Sequence, residues 1–151
     1  MRLTLMTDYA LRLLLFVAQR PERLCTIAEV AQAHAISEAH LMKVTHELAR
    51  QGWLVTVRGK GGGMRLARPP EQTGLGAVVR SIEPDFAIVE CFGPGSGCVL
   101  TGHCSLAHVV EYALDAFLAH LDRHTLADLL PGTRPATIGS PRRRPPARAV
   151  S

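Results

Sequence analysis

Residues 37–67 read SEAHLMKVTHELARQGWLVTVRGKGGGMRLA, and two elements can be read from them directly. Ser37 is a helix N-cap by type, because its hydroxyl can accept from the backbone N–H groups that a first turn leaves unpaired. Leu41, Val44 and Leu48 follow at helical spacing, which predicts a helix to about Gln51 with those residues inward and Gly52 ending it. Trp53 to Arg58 then has strand composition, Gly59 to Gly63 turns, and Met64 to Ala67 returns. That is a hairpin with a basic, glycine-rich tip.

Upstream, Thr26-Ile27-Ala28-Glu29 has the capping-box pattern, and Ile27, Val30, Ala31 and His34 continue at helical spacing. Two short helices joined by a brief turn, the second opening at Ser37, read as helix-turn-helix; the hairpin after them is the wing. A first helix is expected from a Thr7-Asp8 cap to about Gln19, stopped by Pro21 and largely buried. The fold class expected is mainly α with a small β-hairpin wing: a winged helix-turn-helix over 1–69. Its second helix of the pair would enter the major groove, presenting Ser37, Glu38, His40, Lys43 and, further on, His46. Arg58, Gly59 and Lys60 would bring the wing tip to phosphates, glycine allowing close backbone approach.

Charge agrees with that division. Residues 1–69 carry ten Lys/Arg against five Asp/Glu, residues 70–130 two against eight, and residues 131–151 five against none. A basic lobe beside an acidic one points to a polyanion partner for the first. No transmembrane or export segment is recognisable, so a cytoplasmic chain with reduced cysteines is expected.

Downstream of Arg68-Pro69-Pro70, residues 70–104 are expected to hold a short helix, Leu75 to Ile82, and then a cysteine loop. Cys91, Cys98 and Cys104 fall within fourteen residues, spaced C-x6-C-x5-C among glycines 93, 95, 97 and 102. So many breakers exclude regular structure. A loop can turn several thiols to one place, as a metal centre requires. Zinc favours tighter pairs such as C-x2-C, absent here, whereas cluster ligands are spread because each reaches a different iron. An iron–sulfur cluster is the favoured reading, a four-iron one before a two-iron one. Three cysteines leave one position for another donor: Asp8, Glu90, His103, His108, water or a small molecule. Cys25, ahead of a helix, is expected to be a small buried apolar residue.

From Ser105 a long helix is expected to about Leu130, with Leu106, Val109, Val110, Ala113, Leu114, Phe117, Leu118, Leu121 and Leu126 as its apolar stripe. A second copy of the chain is the natural complement, making 105–130 a dimerisation helix. Residues 131–151, rich in Pro and Arg without apolar periodicity, are expected to be a disordered basic tail.

Over residues 1–130 the sequence resembles the IscR/NsrR family of winged-helix iron–sulfur regulators, most closely its nitric-oxide-sensing NsrR branch. Met1 to Thr4, Thr7 to Arg12, Ser37 to Leu48, Val57 to Ala67 and Glu90-Cys91-Phe92 with Cys98 and Cys104 carry the resemblance. It implies a homodimeric repressor on double-stranded promoter DNA, not an enzyme, with a cluster on Cys91, Cys98 and Cys104. It also implies a non-cysteine fourth ligand, for which the NsrR-like branch offers a carboxylate at the position of Asp8, reached from the partner subunit. The IscR branch has a histidine three residues after its last cysteine; here that residue is Ala107, and His108 follows. Nitric oxide is the signal this implies, with iron–sulfur supply or redox state as the alternative. An electron carrier and a cysteine enzyme using Cys104 with His103 or His108 are the rivals from other classes. The first needs no wing, and the second lacks a recognisable triad.

Overall fold

The computed structural model describes residues 2–100 and 102–132. The expectation for the tail from residue 133 onward lies outside the described residues. Among the described residues are five α-helices, α1 (Leu5–Ala18), α2 (Ile27–His34), α3 (Glu38–Arg50), α4 (Leu75–Ile82) and α5 (Ser105–Asp122), with β1 (Leu54–Val57) and β2 (Gly63–Leu66) between α3 and α4. The mainly α winged helix-turn-helix is thus the fold observed. No helix among the described residues is long and apolar enough to cross a membrane.

Local signals act where they were read. Thr26 and Glu29 form the reciprocal capping box of α2, and Ser37 Oγ accepts from the N–H of His40 at 3.3 Å to cap α3. Leu41, Val44 and Leu48 are buried. The hairpin is antiparallel in the register Leu54–Leu66, Val55–Arg65, Thr56–Met64, Val57–Gly63. A further short bridge seats it on the preceding chain: the N–H of Cys25 donates to the carbonyl of Met64 at 2.9 Å, and Met64 returns the bond at 2.8 Å. Cys25 is fully buried, and burial pushes its thiol pKa up, so it is an apolar filler as expected.

Glu29 also accepts an ion pair from Arg23 at 2.8 Å. Arg23, together with the N–H of Thr26, holds the Glu29 carboxyl down to about 2. Because the folded value lies below the unfolded one, this stabilisation is complete above about pH 4.5 and is lost as pH falls towards 2. Glu29→Gln should flatten the acid limb of a stability–pH curve measured by urea denaturation. The effect will be small, as the pair is solvent-screened.

Two boundaries differ from expectation. The cap of α1 is Thr4, not Thr7-Asp8. Thr7 lies inside the helix, wholly buried, because both threonines are bound from afar by Glu83. The backbone N–H of Thr4 donates to both carboxylate oxygens of Glu83 at 3.2 Å, its hydroxyl donates at 3.1 Å, and the Thr7 hydroxyl donates as well.

The second difference is in α5, which ends at Asp122 rather than about Leu130. Thr125 and Asp128 make a new capping box, and the chain turns back alongside Thr73 and Gly74. The N–H of Leu126 donates to the carbonyl of Thr73 at 2.8 Å, and that of Leu75 to His124 at 2.9 Å. Leu126 is thereby buried in the same core as Leu13, Leu14, Val78 and Ile82.

Candidate functional site

The three loop cysteines are placed by three different local devices. Cys91 is the middle residue of a 3-10 turn, Glu90–Phe92. Cys98 follows a turn in which its N–H donates to Ser96 Oγ at 3.2 Å. Cys104 is the residue from which α5 starts. Gly95 and Gly102 supply the left-handed backbone, at φ +75° and +92°, that lets the loop reverse between them. All three are thiols and partly exposed.

Together with Phe92, Gly102, Ala107 and His108 they line one cleft of about 190 Å³. Among the described residues no three His, Cys, Asp or Glu groups converge closely enough for a single metal ion. Thiols that share a cleft without meeting at one point suit a cluster, whose irons each take one donor, better than a lone tetrahedral ion. The cleft lies at the N-terminal end of α5, where the helix dipole favours negative charge. The donor set fits an iron–sulfur cluster.

The proposed fourth donors separate. His108 lines the cleft; Glu90 and His103 do not. Asp8, in the first turn of α1, is engaged by Arg12 at 2.8 and 3.1 Å and is likewise absent from the cleft wall. Within one chain the structure brings Cys91, Cys98, Cys104 and His108 together, and not Asp8.

The segment leading into the cysteine loop is tied to the winged-helix lobe, and α5 is tied to that segment near its C-terminal end. At the start of the loop stands Glu83, holding Thr4 and Thr7 as described. Trp53 Nε1 donates to Ser81 Oγ at 2.8 Å, binding α4 to the foot of the wing. Arg80 and Asp122 pair in a fork, at 2.5 and 2.8 Å, between α4 and α5. Sequence reasoning did not single out Glu83, because its partners lie 76 and 79 residues away.

The candidate nucleic-acid face comprises α3 and the hairpin tip. Ser37, Glu38, His40 and Lys43 are all exposed on or beside the first two turns of α3. Ser37 Oγ also meets His40 Nδ1 at 2.9 Å, and the ring of Tyr9 lies 6.2 Å from that imidazole, so His40 is held rather than loose. At the wing, Arg58 and Lys60 are exposed and Gly59 has φ +94°. Arg12, Arg23, Arg50 and Arg80 are all neutralised by carboxylates. Among the described residues Lys43, Arg58 and Lys60 form no such pair, which leaves their charge available to phosphates. Lys60→Ala should therefore lower the slope of log affinity against log salt by about one on any duplex. An unchanged slope in a salt titration would remove Lys60 from the interface. Met42, exposed on α3, is a residue that the reading for polar base contacts passed over.

Residues 3–132 match the Rrf2 family, described as an iron-dependent transcriptional regulator. The chain is 48% identical over 132 residues to the HTH-type transcriptional regulator NsrR of Bacillus subtilis, covering 86% of this chain and 90% of that protein. It is 48% identical to the NsrR of Geobacillus kaustophilus, with the same two coverages. Among solved structures, the cysteine regulator CymR of B. subtilis superposes with TM-score 0.71 at 24% identity, over 85% of this chain and 95% of that one. IscR of T. potens superposes with TM-score 0.71 at 22% identity, over 93% and 94%. These last two likenesses speak to the fold alone.

Proposed function

The chain belongs to the Rrf2 family of transcriptional regulators, and from that premise we propose a homodimeric repressor that binds palindromic promoter DNA and carries an iron–sulfur cluster on Cys91, Cys98 and Cys104. The cluster is a four-iron one, and nitric oxide is the signal. The observation that carries this reading is the meeting of three thiols on one cleft at the head of α5. When bound, the cluster would supply an iron that no cysteine of this chain holds, at which a small diatomic ligand could bind.

The chain's own residues supply the rest. Leu106, Val109 and Tyr112 on the first turns of α5 are 66%, 64% and 73% exposed, while Leu118 and Leu121 further along pack on the core. An apolar, solvent-facing first half on an anchored helix supports pairing with a second copy. Two α3 helices related by that twofold axis would read two half-sites, with Lys43, Arg58 and Lys60 on phosphates. Glu83 joins the start of the cysteine loop to the first turn of α1, so a rearranged loop pulls on the lobe that holds α3. Each tenfold loss of DNA affinity requires about 1.4 kcal/mol of preference between the two loop states.

For the fourth ligand we propose Asp8 from a second copy of the chain, its exposed pair with Arg12 being a weak competitor. A second reading, iron–sulfur supply or redox state as the signal, is favoured by one observation: His108 stands at the cleft. Anaerobic protein should be coloured. Asp8→Ala should shift its visible spectrum and His108→Ala should not; the opposite pattern would move the ligand to His108. Titration of DNA-bound protein with nitric oxide, and separately with a redox dye, decides the signal. Release by the dye alone would overturn the nitric oxide reading.

A further inference from the structure

Met42 is 57% exposed in the middle of α3, on a face where Ala39 is the one other exposed apolar residue and the rest are polar. A thioether on a flexible stem is ordinarily a filler of core gaps, and the buried stripe of α3, Leu41, Val44, Thr45 and Leu48, leaves this one outside. Helical geometry puts Met42 in a row with Glu38, one turn before it, and His46, one turn after. It therefore occupies the centre of the surface that the DNA-binding reading sends into the major groove. Base edges there present hydrogen-bond donors and acceptors, with a single apolar exception, the 5-methyl group of thymine.

Resting on that DNA-binding reading, we propose that Met42 reads bases, burying its thioether against the thymine methyl of each half-site. Glu38, His40 and Lys43 bring polar and charged groups to the same groove. Met42 instead discriminates thymine from cytosine, which lacks the methyl and offers there an amino group that a thioether accepts from only weakly. The apolar contact loses no phosphate bond when removed, so its signature is distinct from that of Lys43 or Lys60.

The test uses the full chain, purified without air, and a duplex selected by rounds of binding from a randomised library. Each thymine of a selected half-site is replaced singly by deoxyuridine, which deletes the methyl and nothing else. Wild-type protein should lose about three- to fourfold in affinity at one or two positions, the effect of one buried methyl. Met42→Ala should bind the parent duplex about tenfold more weakly, show no further loss at those positions, and keep the salt slope of the wild type. Met42→Leu should restore the deoxyuridine sensitivity. The proposal is overturned if no position separates wild type from Met42→Ala, or if Met42→Ala weakens random duplex as much as selected duplex. Should the wild type select no sequence at all, the DNA-binding reading fails with it; a selected sequence indifferent to deoxyuridine sinks the Met42 proposal alone.

Discussion

Cys98→Ala should yield a colourless protein that folds but has lost regulated DNA binding, with no response to nitric oxide. Cys98 sits in a glycine-rich loop, anchored locally by the bond from its N–H to Ser96 Oγ, and is only partly buried. Removing its sulfur therefore leaves no core cavity of the kind that costs several kcal/mol. The chemical consequence is much larger. With Cys91 and Cys104 alone on the cleft, two thiolates remain to grip a cluster that needs three from this chain. Iron and sulfide content, visible absorbance and promoter binding before and after nitric oxide would be measured together. A Cys98→Ala protein that kept its colour and its response would refute the three-thiol centre. The matched control is Cys25→Ala, which lies outside the cleft and should keep both.

A second large effect is expected where the wing meets the preceding chain. A Cβ on Gly63 would lie 2.6 Å from the carbonyl oxygen of Cys25 and 3.1 Å from Leu24 Cβ. The oxygen belongs to backbone already held in the bridge to Met64, so neither side can give way cheaply. Gly63→Ala should cost about 2–4 kcal/mol, from overpacking and the weakening of two bridge hydrogen bonds. It should also swing the wing from its seat, weakening DNA binding about tenfold or more. Gly61, two residues away, makes the opposite case. Its φ is +76° and its would-be Cβ meets open space, so Gly61→Asn, which tolerates that conformation, should shift stability by less than about 1 kcal/mol. Urea denaturation and duplex binding of the two variants side by side check both. Equal stability of Gly63→Ala and wild type would show that the hairpin yields more easily than the bridge implies.

Within the run Gly61-Gly62-Gly63, one composition thus conceals two physical causes. Gly61 is there for its backbone conformation, Gly63 for the closeness of another strand. The first can be suspected from a turn motif; the second depends on Cys25, far upstream, arriving beside Met64. The same distinction runs through the molecule. Thr26 with Glu29, Ser37 with His40, and the alternation of strand and glycine after Trp53 are interactions over three or four residues. They are legible because the partner lies within sight along the chain. The local sequence points to a cap at Thr7-Asp8 rather than Thr4, because the decisive partner of Thr4 is the distant Glu83. The apolar spacing alone carries α5 past its end, because Leu126 prolongs the stripe while Thr125 and Asp128 break the helix beneath it. That Thr-x-x-Asp pattern was a signal available in the sequence, overshadowed by the run of leucines around it.

By itself the sequence determined the winged helix-turn-helix, the basic tip and the trio of spaced cysteines, since each rests on side-chain chemistry and short-range geometry. Only the tertiary structure decided that the three thiols share a cleft with His108 and not, within one chain, with Asp8. It alone decided that Glu83 ties the cysteine loop to α1, and that Lys43, Arg58 and Lys60 form no ion pair among the described residues while Arg12, Arg23, Arg50 and Arg80 are paired with carboxylates. The reason is the same in each case: these facts concern groups many residues apart, whose meeting depends on how the whole core packs, and no local pattern encodes that.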